Sequence, residues 1–479
     1  MIRSLLVLAA VLVAACQSAS KTPAAPPSTE SVSIVGTATA PAVDPAELDT
    51  MIRHAVADQH LVGLSVGVAR DGKIILAKGY GLAATGAKDS VTPETMFAVG
   101  SVTKQFTCSA TMLLAEEGKL SLADPVSKWY PKLTRAKDIT LLELGQHVSG
   151  YRDYYPLDYV DREMLKAAGT DQIIEEYAAR PLDFEPGSRW SYSNTNFLIL
   201  GQVIEKVSGQ PFGTFVAERI FKPLSLTHTK FAPARGGAGM ATGYTAFALG
   251  DPIPATPEGD GWVGSAGAIW STPTDLLTWD LALIDGKVLK PESFRTLTTS
   301  RRLTDGRTSG YGCGEGVNDR GDAIVLSHGG AVSGFVAQNT VIPATRSAVV
   351  LLANTDFAAI GPLNAALVGK LIPRVDAPAV AGASALEAAK GFLSGLAQGK
   401  VDRATLSADF DAFLTPELVT AGQQSLGKAG AVSGIEVGRP TERGGMEVVS
   451  VRFKAGSTPA HALMYRSPDG KIEEFLISR

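Results

Sequence analysis

The stretch Phe97-Ala98-Val99-Gly100-Ser101-Val102-Thr103-Lys104 decides how this chain is read. An apolar run enters a glycine, and the serine after it opens an amphipathic segment carrying Phe106, Ala110, Leu113 and Leu114 on one face. The spacing predicts a helix from about Ser101 to Glu117, closed by Gly118. Residues three apart on a helix share a face, so Ser101 and Lys104 become neighbours. The helix N-terminus adds partial positive charge and unpaired N–H groups beside the serine, which suits a developing oxyanion. Ser-x-x-Lys also occurs at Ser18 and Ser425. The first lies in a low-complexity segment and the second runs into Gly427 and Gly430, so only Ser101 has the helix-opening context. On this motif alone, a plain helix N-cap with a solvated lysine stays open.

Two further motifs follow in order. Tyr192-Ser193-Asn194 is the one Tyr-x-Asn among eleven tyrosines, and His328-Gly329-Gly330 the one His-x-Gly among six histidines. Tyr192 ends a turn-rich segment, Phe184 to Ser191, and precedes an apolar helix from Phe197 to Val207. A phenol there can point into a cleft. Beside Lys104 its pKa is expected to fall, because a neighbouring cation favours phenolate. The phenolate could then take the Ser101 proton. His328 is expected to end a buried strand. The glycines after it allow a substrate to approach the backbone, and the Ala331 N–H can serve with that of Ser101 as an oxyanion donor. A tyrosine capping the core and a structural histidine are the plain alternatives.

The ordered trio resembles the serine β-lactamase and D-Ala-D-Ala peptidase-like superfamily, nearest its class C-type, esterase-like branch. Gly79-Tyr80-Gly81, His147-Val148-Ser149-Gly150, Glu185-Pro186-Gly187 and Ser265-Ala266-Gly267 carry the likeness further, over residues 50–370. It implies an antiparallel sheet with a helical subdomain. It implies Ser101 as acylated nucleophile, Lys104 as its activating partner and Tyr192 as general base. Asn194 would orient Lys104 and substrate, with His328, Gly330 and Ala331 along the substrate-facing strand. His328 stands where many members have Lys, and a histidine is mostly neutral at pH 7. That favours peptidase or esterase activity over efficient penicillin hydrolysis. Val148 replaces the usual Thr, and His147 is read as structural. No Glu-x-x-x-Asn lies between Ser101 and His328, so a Glu-held deacylating water lacks its residue.

The implied function is a serine hydrolase forming an acyl-enzyme on amides or esters: a peptidoglycan-type D-amino-acid peptide, a small ester or a β-lactam. The alternative is a non-catalytic cell-envelope lipoprotein that binds cell-wall material through the same cleft. No cofactor and no metal site are expected, since the histidines are scattered and His-Glu-x-x-His is absent. Gly259-Asp260-Gly261-Trp262-Val263-Gly264 spells a dinucleotide fingerprint without a strand–helix unit around it, and is read as chance. A net charge of -4 and a pI near 6.0 leave no footprint for nucleic acid.

The chain opens with Arg3 and an apolar run ending at Val13-Ala14-Ala15-Cys16. This reads as a signal peptide over 1–15 and resembles a bacterial lipobox, with Cys16 the lipidated residue and 16–43 a Ser/Thr/Pro/Ala tether. Gln17 after the cysteine points to the outer membrane, the lipid anchor being the one membrane contact. Cys108, on an apolar helix face, and Cys313, in a Gly-flanked strand, are read as two buried free thiols, with pairing the alternative.

Asp44-Pro45-Ala46-Glu47 starts a helix with an N-cap carboxylate, Pro at the first position and Glu placed for a capping box. Leu64–Ala69 and Lys73–Lys78 flank Asp71-Gly72, a hairpin signal. Ala323–Ser327, Phe335–Pro343 and Ala348–Asn354 read as consecutive antiparallel strands. One sheet completed by both ends of a domain at 44–375 follows. After a Pro/Gly-containing break, residues 384–479 read as a small α+β unit that resembles appended NTF2-like domains. It has a capping box at Ser384 and strands at Met446–Phe453, His461–Tyr465 and Lys471–Ile477.

Overall fold

The computed structural model describes residues 43–59, 61–86, 89–157, 159–248, 250–319, 323–372 and 377–478. The expected signal peptide at 1–15, Cys16 and all of the expected tether but residue 43 lie outside the described residues.

Helix α1 (Pro45–Gln59) starts where expected, with the Asp44 carboxylate accepting the Ala46 N–H at 2.9 Å. Glu47 pairs with Lys370, so it ties α1 to a later helix. Strands β1 (Gly63–Arg70) and β2 (Lys73–Gly81) form the hairpin. Asp71 and Gly72 have φ of 49° and 76°, the doubly positive turn that matches strand twist. A 3₁₀ turn, Gly100–Val102, leads into α2 (Thr103–Glu116). Helices α3 (Asn194–Ser208) and α4 (Pro273–Ile284) follow within the helical middle.

The chain then returns to the sheet through β3 (Gly316–Asp319), β4 (Ile324–Val332), β5 (Phe335–Ile342) and β6 (Ser347–Ala353), before α5 (Gly361–Leu371). The sheet order is β2-β1-β6-β5-β4-β3, antiparallel throughout. Both ends of the domain therefore complete one sheet. Every residue of β6 is buried. Its side chains divide by parity: Ala348, Val350 and Leu352 join the large core under the helical middle, and Val349, Leu351 and Ala353 join a second core. That second core is closed by Leu48 and Ile52 of α1 and by Leu363 and Leu367 of α5. A strand covered on both faces reads as a continuous apolar run, as this one does.

One strand boundary departs from the sequence reading. β4 does not end before His328 but carries on through Val332, paired with β5 from Leu326 to Val332. Glycines weaken strand propensity, yet ladder hydrogen bonds to β5 hold Gly329 and Gly330 extended.

The two thiols are another correction. Cys108 and Cys313 form a disulfide, with Cα atoms 5.9 Å apart across a separation of 205 residues. Cys313 lies in a bend rather than a strand, and the bend folds onto α2. Gly145 makes room, since a Cβ there would meet the Cys313 Sγ at 2.4 Å.

Residues 384–478 have a core of their own. Ser384 and Glu387 form the expected capping box on α6 (Ala385–Gln398), and α7 (Pro416–Ala429) packs beside it. Strands β7 (Val432–Val437), β8 (Met446–Ala455), β9 (Thr458–Arg466) and β10 (Ile472–Ser478) lie in that order, with Thr441–Arg443 also paired to β8. Sequence reasoning missed β7 because it is half-exposed, short and interrupted by Gly434, so it shows no clean alternation.

Candidate active site

Ser101 sits in the 3₁₀ turn at the mouth of α2, and Lys104 in the first turn of that helix. The Lys104 side chain is fully buried and its Nζ has three partners: Ser101 Oγ at 2.9 Å, Asn194 Oδ1 at 2.8 Å and the Ala266 carbonyl at 2.8 Å. Burial drives its pKa down to about 7, against the opposing charge of Asp153. Near neutrality the amine form, with a lone pair facing Ser101, is therefore accessible. Its ammonium form lies 4.8 Å from the centre of the Tyr192 ring and 5.3 Å from that of Phe197.

Tyr192 also contacts Ser101, its phenol in hydrogen-bond reach of the hydroxyl. Its pKa moves opposite to the sequence expectation. Burial, followed by the charge of Asp153, pushes the phenol well above its usual range, and the contact with Ser101 offsets only part of this. A neighbouring lysine lowers a phenol's pKa only while it is itself charged. Here the same desolvation that raises the tyrosine lowers the lysine to about 7, so near neutrality its positive charge is only partial and does not outweigh burial of the phenol.

His147 holds the Tyr192 segment, as the structural reading expected, and does so twice. Its carbonyl accepts the Ser191 N–H at 3.0 Å and its Nδ1 accepts the Ser193 N–H at 3.1 Å. The residue adopts a φ of 57°, uncommon for a non-glycine, and its ring lies 4.3 Å from that of Tyr192. Burial and the charge of Lys104 hold it neutral.

His328 is fixed as a neutral ring. Its Nδ1 donates to the Gly329 carbonyl at 2.6 Å, which leaves Nε2 to accept the Tyr311 hydroxyl at 2.7 Å. Burial and Lys104 push its pKa down to about 3. Tyr311 was not legible in the sequence. It lies two residues from Cys313, and the disulfide ties that segment to α2.

The strand and the nucleophile turn meet through glycines. Gly100 has a φ of 51°, and a Cβ there would stand 2.7 Å from the Ala331 nitrogen. A Cβ on Gly330 would stand 2.0 Å from the Val99 carbonyl and 3.2 Å from the Ser101 nitrogen. The backbones of residues 99–101 and 330–331 are thus in direct contact, with the Ser101 and Ala331 amides at one place. Ser101, Tyr192, Asn194, His328, Gly330 and Ala331 all line one cleft of about 1630 Å³. All the candidate residues of the described chain are brought together; Cys16 lies outside it.

The comparisons agree with this geometry. The family profile described as Beta-lactamase matches residues 48–370. The chain belongs to the β-lactamase family of serine hydrolases. PbpX of Bacillus subtilis is 30% identical over 299 residues, covering 62% of this chain and 72% of that protein. A D-aminopeptidase of Brucella canis is 29% identical over 339 residues, 68% of this chain and 64% of the relative, so a third of that relative lies outside the match. Among solved structures, a D-stereospecific amidohydrolase from a Streptomyces species superposes with a TM-score of 0.59 at 27% identity, covering 67% of this chain and 98% of that one. The profile match over residues 48–370 takes in the sheet, the helical middle and the cleft. At the level of the family, the chemistry is that of a serine hydrolase acting on amides through an acyl-enzyme.

Proposed function

We propose that this protein hydrolyses amides of D-amino acids, as peptide or simple amide, through an acyl-enzyme on Ser101. The observation that carries the reading is the buried Lys104 amine, 2.9 Å from the Ser101 hydroxyl and close to half-neutral at pH 7. In acylation the Ser101 O–H bond breaks, its proton goes to the Lys104 lone pair, and Oγ bonds to the substrate carbonyl carbon. The Ser101 and Ala331 N–H groups stabilise the oxyanion. Collapse breaks the C–N bond, and the leaving amine takes the proton back from Lys104 by way of the Tyr192 hydroxyl. Water then repeats the sequence on the ester. Tyr192 is a protonated relay in this scheme, because its phenol is too weak an acid to begin as phenolate.

The D-amino-acid class is supported by the named activities of the amidohydrolase and aminopeptidase relatives. A dedicated β-lactamase is disfavoured: His328 is neutral, and its Nε2 is already used by Tyr311, so this position presents no cation to a substrate carboxylate. Side-by-side rates on D- and L-aminoacyl p-nitroanilides, p-nitrophenyl esters and nitrocefin test the reading. D-aminoacyl anilides should be preferred, and Ser101→Ala should abolish both turnover and labelling by a fluorophosphonate. A faster L-series, or nitrocefin as the best substrate, overturns the substrate class. Full activity in Ser101→Ala overturns the mechanism.

A further inference from the structure

We propose that Asp153 is a positioning residue for the reaction: it orients the Asn194 amide on Lys104 and supplies the negative charge against which that buried lysine cycles between ammonium and amine. This rests on Ser101 being the acylated nucleophile.

The geometry runs in a chain. Asp153 Oδ1 accepts the Asn194 backbone N–H at 2.9 Å and its Nδ2 at 3.2 Å, with Oδ2 at 3.3 Å from the same Nδ2. A carboxylate only accepts, so it fixes which end of the Asn194 amide faces it. The other end, Oδ1, must then face Lys104 Nζ, where it lies at 2.8 Å. The loop is braced for this task. Tyr155 N–H donates to Asp153 Oδ1, and the Thr195 hydroxyl donates to the Arg152 carbonyl, pinning the loop to the start of α3.

Charge is the second half of the argument. All three hydrogen-bond partners of Lys104 are neutral groups, and it is completely buried. The two histidines near it, His147 and His328, are held neutral, Tyr192 stays protonated, and Phe197 offers only a ring. Asp153 is the acid whose field raises the lysine's proton affinity against burial. Without it Lys104 would be a weaker base, less able to take the Ser101 proton and hold it until the leaving amine receives it.

A residue that merely capped α3 would change rates without moving a pH profile. The test therefore follows the rate at which a fluorophosphonate labels Ser101 in the full-length protein from pH 5 to 9. In the wild type the rate should rise through about pH 7, as Lys104 becomes neutral. Asp153→Asn keeps an acceptor for Asn194 but loses the charge, so the midpoint should move down by about one pH unit. Asp153→Glu should bring it back towards the wild type, and Asp153→Ala should add a loss of rate at every pH. An unmoved midpoint in Asp153→Asn overturns the proposal. If that variant labels too slowly to profile, Lys104 is titrated directly by NMR in the Ser101→Ala background, with and without Asp153→Asn; an unchanged lysine titration overturns it equally. A wild type that is never labelled on Ser101 strikes at the hydrolase reading instead, and the lysine titration still decides the role of Asp153.

Discussion

Gly330→Ala and Gly329→Ala are adjacent substitutions of one methyl group each, and the structure expects opposite results. A Cβ on Gly330 would lie 2.0 Å from the Val99 carbonyl oxygen, where real Cβ atoms keep at least 3.0 Å. The obstacle is backbone, so no rotamer can relieve it, and β4 must part from the Ser101 turn by about 1 Å. That gap opens between the two amides meant to hold the oxyanion. Misplacement of about 1 Å costs around a hundredfold in rate, and loss of one oxyanion donor about 10²–10³. Overpacking also costs about 1–3 kcal/mol of stability. On Gly329 the nearest atoms to a Cβ are Gln338 Oε1 at 3.5 Å and the Ala337 carbonyl at 4.0 Å, both ordinary contacts. Gly329→Ala should therefore leave stability within about 0.5 kcal/mol of the wild type, its methyl standing in the open cleft rather than against backbone. The assay is kcat/KM on a p-nitrophenyl ester, with a urea midpoint to confirm folding. A folded Gly330→Ala enzyme of near wild-type rate would refute the contact between strand and nucleophile turn as the source of the oxyanion site.

Two expectations concern stability. Burial pushes the Asp280 carboxyl up to about 8, and burial is also the main cause that raises Glu315. Asp280 is thus protonated when folded and ionised when unfolded between pH 4 and 8, so its stabilising contribution is full below its unfolded pKa and is lost as pH rises to about 8. Asp280→Asn keeps an acceptor for Asn339 and should flatten the fall in urea midpoint between pH 5 and 8.5, a difference on the order of several kcal/mol; equal slopes would sink the argument. Replacing Cys108 and Cys313 together by Ala opens a 205-residue loop and should cost about 2–5 kcal/mol. An unchanged unfolding midpoint under non-reducing conditions would show that the bridge contributes nothing.

The local elements of this protein were legible because their causes are local. The Ser101–Lys104 face follows from helical spacing, the hairpin from Asp71-Gly72, and α6 from the Ser384 capping box. The double-sided burial of β6 could be read from its unbroken apolar run. The protonation states could not be read, because they depend on desolvation by residues distant in sequence. Lys104 and Tyr192 lie 88 positions apart, and burial sends the tyrosine up and the lysine down, the reverse of what charge proximity alone predicts. The disulfide, Tyr311 on His328 and Asp153 on Asn194 were equally hidden. Each joins segments whose meeting is fixed by packing between α2, α3 and β4, and a spacing in sequence carries no trace of it. The sequence by itself determined which groups could react. Tertiary structure alone decided which of them hold protons, since that is set by the water each one loses.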